Sequence, residues 1–298
     1  MRLQVDRAVA SAIAASRAVV ALESTVIAHG LPRPLNLETA ITLEDDVRAG
    51  GAVPATIALA SGSAVVGADR ALLSRLANED GVAKVSTRDI APVIAKGAIG
   101  ATTVAATVEI AARSRIAVMA TGGIGGVHRG AESSFDESAD LEAIARNPVC
   151  VVCAGAKLVL DLALTLERLE TLGVPVVAYG TDEFPAFYVR SSGLRAPHRA
   201  DEALTVARIA REQLARGAGL VVAVPIAQAD AMERREAEAE IERAVAAAER
   251  DGVRGAALTP YLLGAVGAAT SGKSLRANVS LLKQNARVAA QIALALAS

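Results

Sequence analysis

IAVMATGGIGGVHRG at residues 116–130 joins an apolar run to a glycine-rich loop, and PVCVVCAGAK at residues 148–157 carries a second apolar run to a lysine. Each run has the length and the aliphatic content of a buried β-strand. Around them, longer segments place apolar residues at helical spacing. Strands that alternate with helices predict an α/β fold, with a layered, largely parallel sheet flanked by helices.

Each predicted strand is followed by residues whose side chains or backbone could take part in binding or catalysis. The first is followed by the glycine loop at residues 122–126 and by a cluster of hydroxyls and carboxylates at residues 132–140, and the second by Lys157. Ligands of open α/β sheets bind at the carboxyl ends of the strands. The sequence therefore predicts one active site built from these two strand ends.

The composition predicts a single folded domain over residues 1–298. Hydrophobic residues make up 52% of the chain and charged residues 21%, which is typical of a globular protein. No linker, low-complexity block or internal repeat divides it. The net charge of -1 and the 2% of aromatic residues supply neither the field nor the stacking surfaces that nucleic acids need. A nucleic-acid partner is not expected.

The sequence also indicates no membrane segment. Charged residues at Arg2, Asp6, Arg7 and Arg17 are atypical of a secretory signal peptide. Residues 49–68 carry no charge, but glycines and a proline interrupt them, which predicts two strands and a turn. We expect a cytoplasmic location.

Cys150 and Cys153 form a C-x-x-C pattern. A redox function would need them at a helix N-terminus, where a thiolate is stabilised. Inside a strand, residues three apart face opposite sides of the sheet. The pair is therefore predicted to be core packing.

Periodicity and turn residues predict the remaining elements. Helices are expected over residues 7–15, 36–47 with Asn36 as the N-cap, 70–77, 90–96, 103–113, 157–172, 200–216, 232–250 and 274–297. Further strands are expected over residues 18–22, 56–59, 64–66, 83–86, 174–179 and 220–224.

GAATSGKS at residues 267–274 fits the Walker A pattern of nucleotide-binding loops. Such a loop needs a strand before it, whereas residues 261–266 are typical of a short helix or a loop. No Asp or Glu follows Asp251, so no acid is available there for magnesium. We therefore predict that Lys273 and Ser274 begin the last helix.

Two ionisable residues lie in apolar surroundings. Glu23 follows the strand residues 19–22, and burial raises the pKa of a carboxyl group, which suits a general acid. It could instead be a structural carboxylate that accepts hydrogen bonds from nearby N–H groups. Lys157 could be a nucleophilic amine, since burial disfavours the ammonium form, or a helix-start lysine that reaches the surface.

The residues between the two strands leave further alternatives open. Asp136 and Asp140 have the oxygen ligands that Mg²⁺ or Mn²⁺ prefers, but they could also be solvated loop acids, with Ser138 capping the next helix. The glycine loop could cradle a phosphate or simply make a tight connection.

Several long motifs, taken together, resemble the pseudouridine-5′-phosphate glycosidase family, also called indigoidine synthase A-like. The resemblance covers almost the whole chain. Its motifs are ALESTVIAHG at residues 21–30, NLETA at 36–40, GATTVAAT at 100–107, TGGIGGVHRG at 121–130, DESADL at 136–141, CAGAK at 153–157 and NARVA at 285–289.

This resemblance implies an activity and a set of site residues. The family reversibly cleaves the C–C glycosidic bond of pseudouridine 5′-phosphate, giving uracil and ribose 5-phosphate, with Mn²⁺ or another divalent metal. By resemblance, Lys157 is the nucleophile, Glu23 the proton donor and Asp136 the metal ligand. The implied substrate contacts are Lys84, Val104, Ser138, Ala139, Asp140 and Asn278. A homotrimer is implied as well.

The residue types suit this chemistry. The leaving atom is a carbon of uracil, so protonation of a lone pair cannot trigger its departure as it does in ordinary glycosidases. An amine can capture the sugar carbon as an imine, while an acid delivers the proton. Another imine-forming sugar-phosphate lyase or aldolase is the main alternative hypothesis. A P-loop nucleotide-binding protein and a non-catalytic binding module are weaker ones.

Overall fold

A mixed sheet forms the centre of the molecule, which we describe from a computed structural model covering residues 1–253 and 258–298. In these ranges the strands are β1 (Leu3–Val5), β2 (Val19–Leu22), β3 (Val53–Ala60), β4 (Ser63–Val66), β5 (Ala83–Val85), β6 (Gly100–Thr102), β7 (Val118–Ala120), β8 (Cys150–Cys153), β9 (Val176–Tyr179), β10 (His198–Ala200) and β11 (Leu220–Ala223). They pair in the order β1-β4-β3-β2-β7-β8-β11-β9-β10, and β6 joins β5 to β3.

Helices flank this sheet. They are α1 (Arg7–Ala14), α2 (Leu35–Ala49), α3 (Arg70–Asn78), α4 (Ile90–Ala95), α5 (Val104–Arg113), α6 (Ala131–Ser134), α7 (Ala139–Arg146), α8 (Leu162–Thr171), α9 (Ala203–Ala215), α10 (Arg234–Arg250), α11 (Leu258–Ala269) and α12 (Lys273–Ala297). A π-helical turn spans Val26–Gly30, and a 3₁₀ turn spans Thr87–Asp89. None of the helices described here combines the length and the apolar character that crossing a membrane requires.

The predicted single-domain α/β fold with a largely parallel sheet is confirmed. All neighbours from β3 through β2, β7, β8, β11 and β9 to β10 run parallel, and only β3 pairs antiparallel, with β4 and β6. Strands covered on both faces are apolar throughout. This explains why β2, β8 and β11 are fully buried runs of aliphatic residues and cysteine.

Three parallel strands bring the predicted site residues together. In the register, Leu22 lies opposite Ala120, and Ala120 lies opposite Val152. The chain segments that leave β2, β7 and β8 therefore emerge next to one another at the same edge of the sheet. This edge is where ligands bind in α/β folds.

The structure corrects two local predictions. Asn36 does not cap α2; it lies inside the first turn, where its amide donates to the carbonyls of Ile27 (2.9 Å) and Ala77 (3.0 Å). The helix predicted from residue 157 begins only at Leu162, because Asp161 is the N-cap and accepts from the N–H of Leu164 (2.9 Å). Lys157 therefore lies in the irregular connection before α8 and does not start a helix.

The structure shows how the C-x-x-C pattern and the Walker A pattern should be interpreted. Cys150 and Cys153 are free, fully buried thiols, and burial raises the pKa of each to about 12. Their predicted place in the core is confirmed. The Walker-like residues begin inside helix α11 and end in α12, with no strand before them, and the ammonium of Lys273 lies 2.8 Å from a carboxylate oxygen of Glu236. The hypothesis of a P-loop at these residues is therefore wrong.

Candidate active site

A cavity of about 480 Å³ opens at the carboxyl ends of β2, β7 and β8. All nine residues that the sequence predicted as site residues line it. They are Glu23, Lys84, Val104, Asp136, Ser138, Ala139, Asp140, Lys157 and Asn278. The structure thus brings together residues that lie as far as 255 positions apart in the sequence, between Glu23 and Asn278.

Glu23 is the first residue after β2. The hydroxyl of Thr121, the first residue after β7, donates a hydrogen bond to its Oε1. Burial raises the pKa of Glu23, while the charge of Lys157, the hydrogen bond from Thr121 and the charge of Lys84 oppose this effect, and the charge of Asp140 adds to it. The net shift is upward, so this carboxyl holds its proton more tightly than an exposed glutamate does.

Lys157 is placed by a tight backbone connection. Its N–H donates to the carbonyl of Ile124 (3.1 Å), which fastens it to the glycine loop. Two residues earlier, Gly155 has φ +82°, and a Cβ there would overlap the carbonyl oxygen of Pro185. Only glycine fits at this turn. The lysine side chain is half-buried, and it lines the cavity where Glu23 also lies.

Asp140 connects two of the segments that surround the cavity. It is buried, and its Oδ1 accepts from the N–H of Ala105 in α5 (2.9 Å) while its Oδ2 accepts from the N–H of Gly125 in the glycine loop (2.7 Å). Ser138 is the N-cap of α7, as predicted, and its hydroxyl accepts from the N–H of Asp140 (3.2 Å). The carboxylate of Asp140 therefore links the glycine loop to the start of α5.

Lys84 brings a second lysine to the cavity. It belongs to β5, whose partner β6 leads directly to Val104, the first residue of α5. Burial lowers the pKa of Lys84, and the charge of Lys157 lowers it further, while Asp140 and Glu23 raise it. The charges of Lys157, Asp140 and Glu23 thus all act on Lys84.

Asp136 is the predicted metal ligand, and its Oδ2 lies 4.0 Å from Nδ1 of His128. Burial lowers the pKa of His128; Asp136 raises it, and Lys157 and Lys84 lower it. No group of three His, Cys, Asp or Glu residues able to enclose a metal occurs among residues 1–253 and 258–298. The donors that are present fit a cation that keeps most of its waters and binds through one carboxylate, as Mg²⁺ and Mn²⁺ do.

Several residues that line the cavity, or that hydrogen-bond to residues lining it, were not predicted from the sequence. Thr121 and Asn285 lie inside recognised motifs, but their partners could not be inferred: the Asn285 amide donates to the carbonyls of Thr121 (2.8 Å) and Gly122 (3.3 Å). His29 also lies in a motif; burial lowers its pKa. Phe187 comes from a distant loop and carries no sequence signal at all.

Comparison with known proteins gives a consistent picture. Residues 8–295 match the sequence family described as indigoidine synthase A like protein. A pseudouridine-5′-phosphate glycosidase of Chloroflexus aurantiacus is 54% identical over 98% of this chain and 97% of its own length. Another protein with that name, from Solibacter usitatus, is 52% identical over 98% of this chain and 99% of its own.

Two solved structures share the fold. A prealnumycin C-glycosynthase, crystallised in complex with ribulose 5-phosphate, superposes with a TM-score of 0.92 at 42% identity, covering 100% of this chain and 97% of the other. An indigoidine synthase A-like protein from Thermotoga maritima superposes with a TM-score of 0.90 at 32% identity, covering 100% and 97%.

Proposed function

Because this chain belongs to the indigoidine synthase A-like family, we propose that it reversibly cleaves the C–C glycosidic bond of pseudouridine 5′-phosphate, giving uracil and ribose 5-phosphate. The relatives at about 50% identity over nearly the whole chain carry the name of this activity. The structural neighbour that forms a C-glycoside binds a pentulose phosphate, which is chemically close to the proposed sugar product.

One observation carries the proposal: the half-buried carboxyl group of Glu23 and the half-buried amine of Lys157 line the same cavity. Burial raises the pKa of Glu23, and the charge of Lys157 opposes that shift. The pair therefore provides a carboxyl group that can deliver a proton and an amine that can form a covalent bond. The reaction proposed below uses both groups.

The proposed reaction balances as follows. The Lys157 amine attacks C1′ of the ribose while the C1′–O4′ bond breaks, and Glu23 protonates the departing ring oxygen. The new secondary ammonium then gives a proton to the Glu23 carboxylate, its lone pair forms the C=N bond as the C1′–C5 bond to uracil breaks, and Glu23 passes that proton to C5. Water hydrolyses the imine, which releases ribose 5-phosphate and restores the amine.

The other polar residues fit the sugar phosphate. Lys84 supplies a cation for the 5′-phosphate. Val104 is the first residue of α5, where the helix dipole adds partial positive charge. Ser138, Ala139 and Asp140 would contact the ribose from the opposite side. Asn278 has an amide that can both donate and accept, as the uracil edge does.

Asp136 would hold Mn²⁺ or another divalent cation, which when bound would supply a positive charge and ordered waters for orienting the substrate. Replacing Asp136 by Asn should raise the half-saturating Mn²⁺ concentration by more than about tenfold, since even outer-shell residues of metal sites are worth about 10–100-fold. An unchanged Mn²⁺ dependence would exclude Asp136 as the ligand. Homotrimeric assembly and a cytoplasmic location stay predictions, which light scattering and cell fractionation test.

The deciding experiment is uracil release from pseudouridine 5′-phosphate, with Mn²⁺ present, by wild-type protein, Lys157→Ala and Glu23→Ala in parallel. Only the wild-type protein should release uracil. Lys157→Arg is the matched control, because it keeps the cation beside Glu23 but cannot form an imine, and it should be inactive as well.

Borohydride trapping separates the proposed function from the alternatives. Ribose 5-phosphate should become attached to wild-type protein and not to Lys157→Ala. An aldolase-like lyase would show the same trapping without any uracil release. If folded wild-type protein releases no uracil, the proposed function is wrong.

A further inference from the structure

Arg88 lines the cavity, and none of the roles described above uses it. It lies in the 3₁₀ turn Thr87–Asp89, which follows β5, the strand that carries Lys84. Among the described residues that line the cavity, Arg88 carries the only guanidinium group. Its side chain is 83% exposed. A molecule that enters the cavity from solvent can therefore reach this group.

Hydrogen bonds hold the backbone of this turn in place. The N–H of Ser86 donates to Oδ2 of Asp89 (3.0 Å), and the N–H of Asp89 donates to the carbonyl of Ser86 (3.0 Å). The N–H of Thr103, the residue before α5, donates to the carbonyl of Val85 (2.9 Å). The turn is thus fastened both within itself and to the segment that leads into α5, and Arg88 extends from a fixed backbone.

The side chain of Arg88 is held only weakly. Its Nε lies 3.7 Å from Oδ1 of the adjacent Asp89, and both side chains are in contact with water. Exposed ion pairs of this kind contribute little to stability. The guanidinium can therefore leave Asp89 for a stronger anionic partner at small cost.

A cavity that holds a phosphate dianion needs a positive charge that the reaction does not remove. Lys157 reacts as a neutral amine in the proposed reaction. Burial and the charge of Lys157 lower the pKa of Lys84. An arginine stays charged at every physiological pH, and its planar fork can bind two phosphate oxygens at once. Arg88 therefore has the charge and the geometry that recognition of a phosphate monoester requires.

We propose that the guanidinium of Arg88 binds the 5′-phosphate of the substrate together with Lys84, so that Arg88 determines specificity for the phosphorylated sugar. The inference rests on the proposed function and adds a substrate-binding residue to it. Ser86 and Thr87, which lie between the two cations in the sequence and also line the cavity, carry hydroxyl groups that can donate to phosphate oxygens. When the phosphate binds, the guanidinium exchanges the carboxylate of Asp89 for the dianion.

Calorimetric binding of the two products to Arg88→Ala tests the inference. The dissociation constant for ribose 5-phosphate should rise about tenfold or more, because a charge-assisted hydrogen bond is lost. The constant for uracil, which carries no phosphate, should stay as in the wild type. Arg88→Lys keeps the charge but loses the fork, so its constant for ribose 5-phosphate should lie between those of Arg88→Ala and the wild type. Added salt should weaken ribose 5-phosphate binding less in Arg88→Ala than in the wild type.

Arg113→Ala is the matched control, because Arg113 is likewise exposed and paired with an acid, Glu109 (3.2 Å), but does not line the cavity. It should bind both products as the wild type does. If Arg88→Ala binds ribose 5-phosphate as tightly as the wild type, or weakens both products equally, the inference is overturned, whereas the proposed function stands as long as the wild type releases uracil. If wild-type protein binds no ribose 5-phosphate, both are overturned.

Discussion

The hydroxyl of Thr121 donates a hydrogen bond to the carboxylate of Glu23, and the two residues occupy equivalent positions on neighbouring strands. Each is the first residue after its strand, and the last residues of those strands, Leu22 and Ala120, lie opposite each other in the parallel register. The spacing of two paired strands thus sets the environment of the proposed proton donor. Changes at this contact should be visible in the pH dependence of the reaction.

Thr121→Val should move the falling limb of the pH–rate profile to higher pH. The hydrogen bond from Thr121 stabilises the ionised carboxylate and so lowers the pKa of Glu23; without it that pKa is higher. A proton donor is active below its pKa, so the active range extends upward. Steady-state kinetics between about pH 5 and pH 9 measures the shift. Thr42→Val, on α2 outside the cavity, should leave the profile unchanged.

Asp140→Asn should move the same limb in the opposite direction. The charge of Asp140 raises the pKa of Glu23, so a neutral side chain lowers that pKa and the proton is lost at lower pH. The new amide also places an NH₂ group against one of two backbone donors, Ala105 or Gly125. The free energy of unfolding should fall by about 1–3 kcal/mol in urea denaturation. A shift to higher pH would contradict the assigned electrostatic role of Asp140.

Glu23→Gln should stabilise the folded protein above the ordinary glutamate pKa of 4.5. Because the pKa of Glu23 is higher in the folded than in the unfolded state, ionisation costs stability as pH rises from 4.5 through the folded-state value. A glutamine at this position does not ionise, so its contribution to stability does not fall as the pH rises. In urea denaturation, the free energy of unfolding of the variant should exceed that of the wild type at about pH 8. The two free energies should be equal below about pH 4. The exposed Glu132→Gln should show no such dependence.

Gly125→Ala should remove activity and lower stability. A Cβ at this position would overlap the hydroxyl of Ser138 and come within 2.9 Å of Oδ2 of Asp140. Over-packing of this kind costs about 1–3 kcal/mol, which unfolding experiments resolve. Gly267→Ala is the control, since nothing lies within 4 Å of a Cβ there. Gly267 belongs to α11, so alanine should be neutral or stabilising by up to about 1 kcal/mol.

The strand ends were predictable from the sequence, and for a physical reason. Buried parallel strands must be apolar, so the first polar residue after each run marks the edge of the sheet. Glu23 and Lys157 were identified in this way, and they do line one cavity. The resemblance to the family implied Lys84 and Asn278, which lie outside the quoted motifs and which no local pattern singles out.

What the sequence did not predict depends on partners that are distant in the chain. Strands β1, β6 and β10 have three residues each and are defined by their pairing. Asn36 has the side chain of a good N-cap, but its amide is held by carbonyls 9 and 41 residues away. Phe187 reaches the cavity only because its loop folds back on Gly155 and Gly123. Contacts of this kind have no periodic signature.

Asn285 belongs to the long final helix, yet it anchors the carbonyls of Thr121 and Gly122 at the end of β7. A chain that emerges from the ribosome N-terminus first therefore carries Glu23, Lys84 and Lys157 well before the helix that secures the glycine loop. Until α12 has been synthesised and has docked, the carbonyls of Thr121 and Gly122 lack the amide that holds them. Catalytic competence is thus one of the last properties that the nascent protein acquires.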